Sequence, residues 1–205
     1  MNPNDFDENG YAIYREVIDA DLIKEVNGHV EWLQRRHPDV RPEQLGHTYL
    51  RDDPFWVRLV SDPRLLRIAE AYVGPDIALF ASHYISKPPY SGQPVLWHQD
   101  AAFWPLDPMR VVTWLAVDHS TPENGCVRLV PGSHRHGIAA MRDNTSPHRR
   151  CGLTIRYIPT STRITDPEEP FPSAFHLQGS PGVNQYQPRP SYVEGRHYPY
   201  DGASA

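Results

Sequence analysis

The sequence has few cysteines, few lysines and no long apolar run. Its 205 residues include only two cysteines, Cys126 and Cys151, which excludes a fold held together by disulfides. Both are expected to be reduced thiols. No apolar stretch approaches the roughly 20 residues that a membrane-spanning helix requires. The N-terminus lacks the basic and apolar regions of a secretion signal, so a cytoplasmic protein without a membrane partner is expected.

Positive charge is also scarce. The formal net charge is −5, which argues against nucleic acid as a partner. Apart from Lys24 and Lys87, all basic residues are arginines, and this rarity draws attention to Lys87. Hydrophobic residues make up 39% of the chain and aromatic residues 11%, so the chain has enough apolar material for a packed core. Its length predicts a single domain over residues 1–205.

The first part of the chain, about 1–75, has helical patterns. Asp19 can cap a helix that runs to about Arg36 with one apolar face. Asp62 followed by Pro63 predicts the start of another helix, and Gly74 predicts its end.

Strand patterns dominate residues 76–158. Apolar or alternating runs separated by turn residues predict strands at 77–85, 95–98, 110–118, 126–130 and 153–158. From 159 to 205 prolines, glycines and serines are frequent, and an irregular tail is expected. Helices followed by strands indicate an α+β domain with a β-barrel or jelly-roll core.

The most informative motif is His98-Gln99-Asp100. On a strand, residues two apart point to the same side, so the imidazole and the carboxylate can converge on one metal ion. Two such ligands and a distant histidine form the facial triad of non-haem Fe(II) oxygenases. The alternative is a hydrogen-bonded strand histidine followed by an aspartate in a turn.

Several stretches around this motif resemble one family. They are SKPP (86–89), WHQD (97–100), TWLAVD (113–118), ENGC (123–126), VPGSH (130–134), and NTS (144–146) through RCGL (150–153). The chain is similar in these stretches to the phytanoyl-CoA dioxygenase-like Fe(II)/2-oxoglutarate oxygenases. The resemblance implies a double-stranded β-helix (jelly-roll, cupin-like) core with N-terminal helices packed outside. It also implies hydroxylation of a small-molecule substrate by dioxygen, with release of succinate and CO2.

The resemblance further implies site residues. His98 and Asp100 match the first two iron ligands and are the predicted catalytic residues. Arg150 matches the arginine that binds the distal carboxylate of 2-oxoglutarate, and a planar guanidinium suits a carboxylate. Lys87, Trp114 and Tyr84 resemble residues that line the co-substrate pocket.

The third metal ligand is left open. The family places a histidine eleven residues before the co-substrate arginine, and here that position is Ala139. Weak candidates for the ligand are His148, His136 and His134. The alternative function is an inactive or truncated member of the same fold that acts as a metal- or small-carboxylate-binding module. Substrate identity and oligomeric state are not determined by the sequence.

Overall fold

The computed structural model of the protein describes residues 4–99, 104–108, 112–132 and 138–203. The helices lie in the first third of the chain: α1 Asn4–Asn9, α2 Ala20–Arg36, a 3-10 turn Pro42–Gln44, α3 His47–Leu50, α4 Pro54–Val60 and α5 Pro63–Val73. The strands are β1 Leu45–Gly46, β2 Ile77–Lys87, β3 Val95–Gln99, β4 Leu106–Asp107, β5 Val112–Ala116, β6 Val127–Leu129, β7 Ile138–Met141, β8 Arg150–Pro159, β9 Arg163–Ile164 and β10 Phe175–Gln178.

The predicted helix boundaries are confirmed. The Asp19 carboxylate accepts a hydrogen bond from the backbone N–H of Leu22, which caps α2. Asp62 caps α5 in the same way through the backbone N–H of Arg64, with Pro63 in the first turn. Gly74 ends α5 with a φ of +85°, a conformation that costs glycine little because it has no Cβ.

Among the described residues all strand pairs are antiparallel, and they form three separate sheets. The large sheet has the order β1-β2-β8-β5, with β10 also paired to β2; the small sheet is β3-β7-β6, and β4 pairs with β9. The α+β class is therefore confirmed. Within the described parts of the chain, the strands do not close into a continuous hydrogen-bonded barrel.

The two faces of the large sheet have different roles. One face packs against the helices and carries the main core, including Leu153, Ile155 and Tyr157 of β8 with Phe55 and Trp56 of α4. The opposite face of the large sheet looks toward the small sheet. Met141 of β7 shows this, because its sulfur accepts a hydrogen bond of 3.2 Å from Arg150 of β8.

The C-terminal region is more ordered than expected. Phe175 of β10 pairs with Leu79 of the large sheet, and β9 pairs with β4, so the prediction of an irregular tail over 159–205 is wrong for these strands. Short strands of two to four residues carry little periodic signal, which is why the sequence pattern missed them. Both cysteines are free, as expected, with Cys151 buried. No helix in the described part of the chain is long and apolar enough to cross a membrane.

Candidate co-substrate and metal site

Lys87, Arg150 and Trp114 come together on the face of the large sheet that looks toward the small sheet. Lys87 of β2 is the direct partner of Arg150 on β8, and directly opposed residues point to the same side. Trp114 of β5 is the partner of Thr154, which shares the face of Arg150 through strand alternation. The Arg150 guanidinium carbon lies 5.2 Å from the centroid of the Trp114 ring.

The Arg150 side chain is fully buried and incompletely satisfied. One terminal nitrogen, Nη2, donates to the carbonyl of Gly125 at 2.9 Å and to Met141 Sδ. The other, Nη1, donates to the carbonyl of Ile85 at 3.3 Å. The third nitrogen, Nε, is buried and has no hydrogen-bond partner among the described residues. Three of the five N–H groups of the guanidinium thus donate to neutral acceptors, and the other two have no described acceptor, so an anion can bind to them.

Lys87 is also fully buried, and its ammonium donates to the backbone carbonyl of Gln93. Burial, and secondarily the charge of Arg150, lower the pKa of Lys87 to about 8. Between described residues, no ion pair includes Lys87 or Arg150. The charges of Glu43 and Asp143 act on Lys87 without forming an ion pair with it, and they raise its pKa less than burial lowers it. Two buried cations side by side without a paired carboxylate are unfavourable unless an acidic ligand joins them.

His98 lies on the small sheet and faces the same interior. Its partner on β7 is Ala139, two residues from Met141, which touches Arg150. Strand alternation therefore places His98 on the face that looks toward the large sheet. The Nδ1 atom of His98 lies 2.8 Å from the carbonyl of Leu96. A carbonyl only accepts, so Nδ1 carries the hydrogen, and the lone pair of the neutral ring is on Nε2.

Of the remaining predicted ligands, the structure describes only His148. Asp100, His134 and His136 lie outside the described residues. The described residues contain no group of three His, Cys, Asp or Glu side chains arranged to hold a metal. His148 is exposed and borders a surface cavity of about 550 Å³ together with His119 and Arg149. No described contact joins His148 to His98, so its role as a ligand stays a prediction.

Tyr84 is placed elsewhere. It lies on the opposite face of the large sheet, fully buried in the helix-facing core, with its hydroxyl 3.2 Å from Nδ1 of His29. This position corrects the expectation that Tyr84 lines the pocket with Lys87 and Trp114. Tyr84 is three residues from Lys87, and an odd separation on a strand puts side chains on opposite faces.

Three residues that shape the site were not predicted from the sequence. Gly152 allows the close approach of Trp114, because a Cβ there would lie 2.1 Å from ring atom Cζ2. Gly125 supplies the carbonyl that holds Arg150, and Met141 supplies the sulfur. A glycine inside an apolar strand signals a close approach, so Gly152 was open to detection. The contacts of Gly125 and Met141 are tertiary and leave no local pattern.

A family model described as phytanoyl-CoA dioxygenase (PhyH) matches residues 6–170. The human protein named "Phytanoyl-CoA dioxygenase, peroxisomal" is 28% identical over 162 residues, which are 65% of this chain and 46% of that protein. The chain thus spans about half the length of the curated relatives it matches.

Solved structures show the same fold. "Non-heme monooxygenase, ThoJ-Ni complex" superimposes with a TM-score of 0.80 at 21% identity, covering 92% of this chain and 89% of that one. "CytC3 with Fe(II) and alpha-ketoglutarate" superimposes with a TM-score of 0.63 at 19% identity, covering 90% and 85%. The family model covers well over half of the chain, and the fold agrees with it. This chain therefore belongs to the phytanoyl-CoA dioxygenase (PhyH) family.

Proposed function

We propose that this protein is an Fe(II)- and 2-oxoglutarate-dependent dioxygenase that hydroxylates a small-molecule substrate, with release of succinate and CO2. The observation that carries the proposal is the buried pair of Lys87 and Arg150, which forms no ion pair with a described carboxylate and faces the sheet of His98. A dicarboxylic acid supplies the missing negative charge. Family membership supports the same chemistry.

The spacing of the site residues suits 2-oxoglutarate. Met141, which touches Arg150, and Ala139, which pairs with His98, are two residues apart on β7. Two residues of a strand span about 6.7 Å. A five-carbon dicarboxylate in extended form covers this distance, so one carboxylate can meet Arg150 and Lys87 while the keto-acid end lies beside His98. Trp114 packs over the guanidinium and limits where Arg150 can move.

His98 and Asp100 would hold the iron, His98 through Nε2 with its ring fixed by the Leu96 carbonyl. Bound Fe(II) with 2-oxoglutarate supplies the activation of dioxygen and the oxidative decarboxylation. The protein's own contribution is to orient the co-substrate and to exclude water. Arg150 and Lys87 neutralise the far carboxylate, and Trp114 covers the guanidinium.

The test is to purify the chain without oxygen, add Fe(II) and 2-oxoglutarate, and measure succinate after oxygen is admitted. Asp100→Ala should abolish tight metal binding. Arg150→Ala should weaken 2-oxoglutarate binding at least about tenfold while metal affinity is kept, because a charge-assisted hydrogen bond contributes about 1.5–3 kcal/mol. Arg163→Ala, at an exposed arginine of β9, is the matched control. A chain that binds neither Fe(II) nor 2-oxoglutarate would contradict the proposal.

The second candidate is a metal- or small-carboxylate-binding module without oxygenase activity. The observation that favours it is the register of the small sheet, which pairs His98 with an alanine, Ala139, and not with a further ligand. A histidine at 139 would stand directly across from His98. If the chain lacks a third ligand, Ala139→His should raise Ni(II) or Co(II) affinity at least about tenfold and induce succinate formation. If another residue supplies that ligand, the wild-type chain is active and the substitution brings no gain.

A further inference from the structure

Leu129 and His98 lie on the same face of the small sheet. Leu129 of β6 pairs with Ala139 of β7, and Ala139 pairs with His98 of β3. Residues in direct register across antiparallel strands point to the same side. Leu129 therefore faces the interior that His98 and Met141 face.

This face is apolar around His98. Its other described members are Val95, Val127 and Met141, which are in register with one another across the three strands and are half-buried. The register of β3 shifts between Val95 and His98, so both lie on this face although they are three residues apart. The opposite face of the small sheet differs, because there the Arg128 guanidinium lies 5.5 Å from the centroid of the Trp97 ring. On the large sheet, the space between the two sheets is thus lined by the cations Lys87 and Arg150 and by the indole of Trp114. On the small sheet it is lined by aliphatic side chains.

Leu129 is the member of this face that the protein leaves accessible, with 45% of its surface exposed. Complete burial of a leucine side chain is favourable, so part of this gain is available to a ligand that covers Leu129. Two strand spacings of about 4.8 Å separate Leu129 from His98, and the residue between them is an alanine. A molecule bound next to His98 can therefore reach Leu129.

We propose that Leu129 is a specificity-determining residue that contacts the substrate, and that the substrate presents an uncharged hydrocarbon portion to it. The inference rests on the proposed function, because it takes His98 as the place of the metal. A charged group bound against Leu129 would lose its hydration without gaining a partner. Hydrocarbon substrates are therefore favoured over zwitterionic ones of similar size.

Straight-chain alcohols from hexan-1-ol to decan-1-ol are suitable probes. The full chain is loaded with Mn(II) and 2-oxoglutarate under nitrogen, and paramagnetic relaxation of the alcohol protons reports binding close to the metal. We expect the affinity to rise about fourfold per methylene, which corresponds to about 0.8 kcal/mol. Hexane-1,6-diol, which has the same length as hexanol but a second polar end, should bind more weakly than hexanol.

Two variants locate the contact. Leu129→Asn should weaken octan-1-ol binding about tenfold, and Leu129→Ala should weaken it severalfold. Both variants should fold normally, because the Leu129 side chain is exposed. Val183→Asn is the matched control, since Val183 is 51% exposed and lies in the C-terminal region. This control should leave the affinity unchanged.

Three results would overturn the inference. The first is that Mn(II) and 2-oxoglutarate bind, but the alcohol affinity does not depend on chain length or does not change in Leu129→Asn. This result refutes the role of Leu129 and leaves the proposed function intact. A dimer in sedimentation velocity that Leu129→Asn dissociates assigns Leu129 to a contact between two copies of the chain. If the wild-type chain binds neither Mn(II) nor 2-oxoglutarate, the proposed function itself is refuted, and the inference with it.

Discussion

At the scale of single residues, Lys87 links the charge of the site to pH. Burial next to Arg150 lowers the pKa of Lys87 from 10.5 to about 8, so its ammonium loses its proton as the pH rises through this value. A carboxylate binds the charged form. We therefore expect 2-oxoglutarate affinity, measured by calorimetry with Mn(II) present, to fall about tenfold as the pH rises from about 7 to about 9.

The chain contains its own control for this experiment. Lys24 is the second lysine of the sequence and is exposed on α2. Lys87→Met should give weak binding with little dependence on pH, whereas Lys24→Met should keep the wild-type profile. An unchanged profile in Lys87→Met would show that another group titrates.

Gly152 determines the position of Trp114. The indole occupies the space where a Cβ at residue 152 would be, with only 2.1 Å between that Cβ and Cζ2. Gly152→Ala should move the ring away from Arg150, weaken 2-oxoglutarate binding about tenfold and change tryptophan fluorescence, while metal affinity stays the same.

Gly46→Ala is the control for this substitution. A Cβ at Gly46 has its nearest neighbour at 3.9 Å, and its φ of −80° suits alanine. Equal 2-oxoglutarate affinity in Gly152→Ala and wild type would mean that the Trp114 ring does not contribute to the pocket.

At the scale of secondary-structure elements, the start of β8 makes side-chain contacts on both faces of the large sheet, through Arg149 on one face and Arg150 on the other. Arg149 and Arg150 point to opposite faces, as strand alternation requires. Arg149 donates two hydrogen bonds of 2.8 and 2.9 Å to the Asp118 carboxylate and a third to Asn27 of α2. Asp118 also accepts from the backbone N–H of Cys151 at 2.9 Å. This connection fixes β8 relative to α2 beside the site.

Removal of Asp118 tests this connection. Asp118→Ala leaves a partly buried guanidinium and a backbone N–H without their acceptor, so we expect the free energy of unfolding in urea to fall by about 2–3 kcal/mol. Glu31→Ala is the control, because it removes an exposed ion pair with Arg35 and should change stability by less than about 0.5 kcal/mol. Similar losses in both variants would contradict a structural role for Asp118.

At the scale of the whole molecule, the C-terminal segment closes the helical layer over a buried histidine. The backbone N–H of Tyr198 donates to Asp53 Oδ2 at 3.0 Å, and the Tyr198 ring lies 5.2 Å from the His29 ring. Gly28 makes room for the segment, since a Cβ there would lie 2.3 Å from the Tyr198 hydroxyl oxygen. The C-terminal segment around Tyr198, distant in sequence, thus covers His29 and excludes water from it.

The burial of His29 makes the free energy of unfolding depend on pH. Burial lowers the pKa of His29 from 6.5 to about 3, so the folded chain keeps this ring neutral where the unfolded chain protonates it. The free energy of unfolding should therefore fall as the pH drops from 6.5 toward 3, by up to about 1.4 kcal/mol per pH unit from this group. The pKa of Asp53 is raised by burial, which opposes this trend at the acidic end.

Urea unfolding at several pH values checks the dependence. His29→Gln should reduce the slope between pH 6.5 and 4 by about one proton, although the variant is less stable at every pH. His119→Gln, at an exposed histidine, should leave the slope unchanged. A wild-type slope in His29→Gln would show that His29 is not the group responsible.

Much of the fold was predictable from local sequence, because it depends on local chemistry. The caps at Asp19 and Asp62 and the stop at Gly74 act within one helical turn, and their boundaries are confirmed. The strand predicted at 153–158 is also confirmed, but β8 begins earlier, at Arg150. Its first residues pair with Lys87 and Ser86 of β2, a contact between distant segments that no local pattern contains.

The sequence by itself determined the helix boundaries, the order of helices before strands, and the resemblance that singles out His98, Lys87, Trp114 and Arg150. Only the tertiary structure decided which of these residues meet. It placed Lys87, Arg150 and Trp114 on one face, Tyr84 on the other, and paired His98 with Ala139. The reason is physical: caps and alternation act over a few residues, whereas a strand's partner and the side that faces another layer depend on long-range pairing.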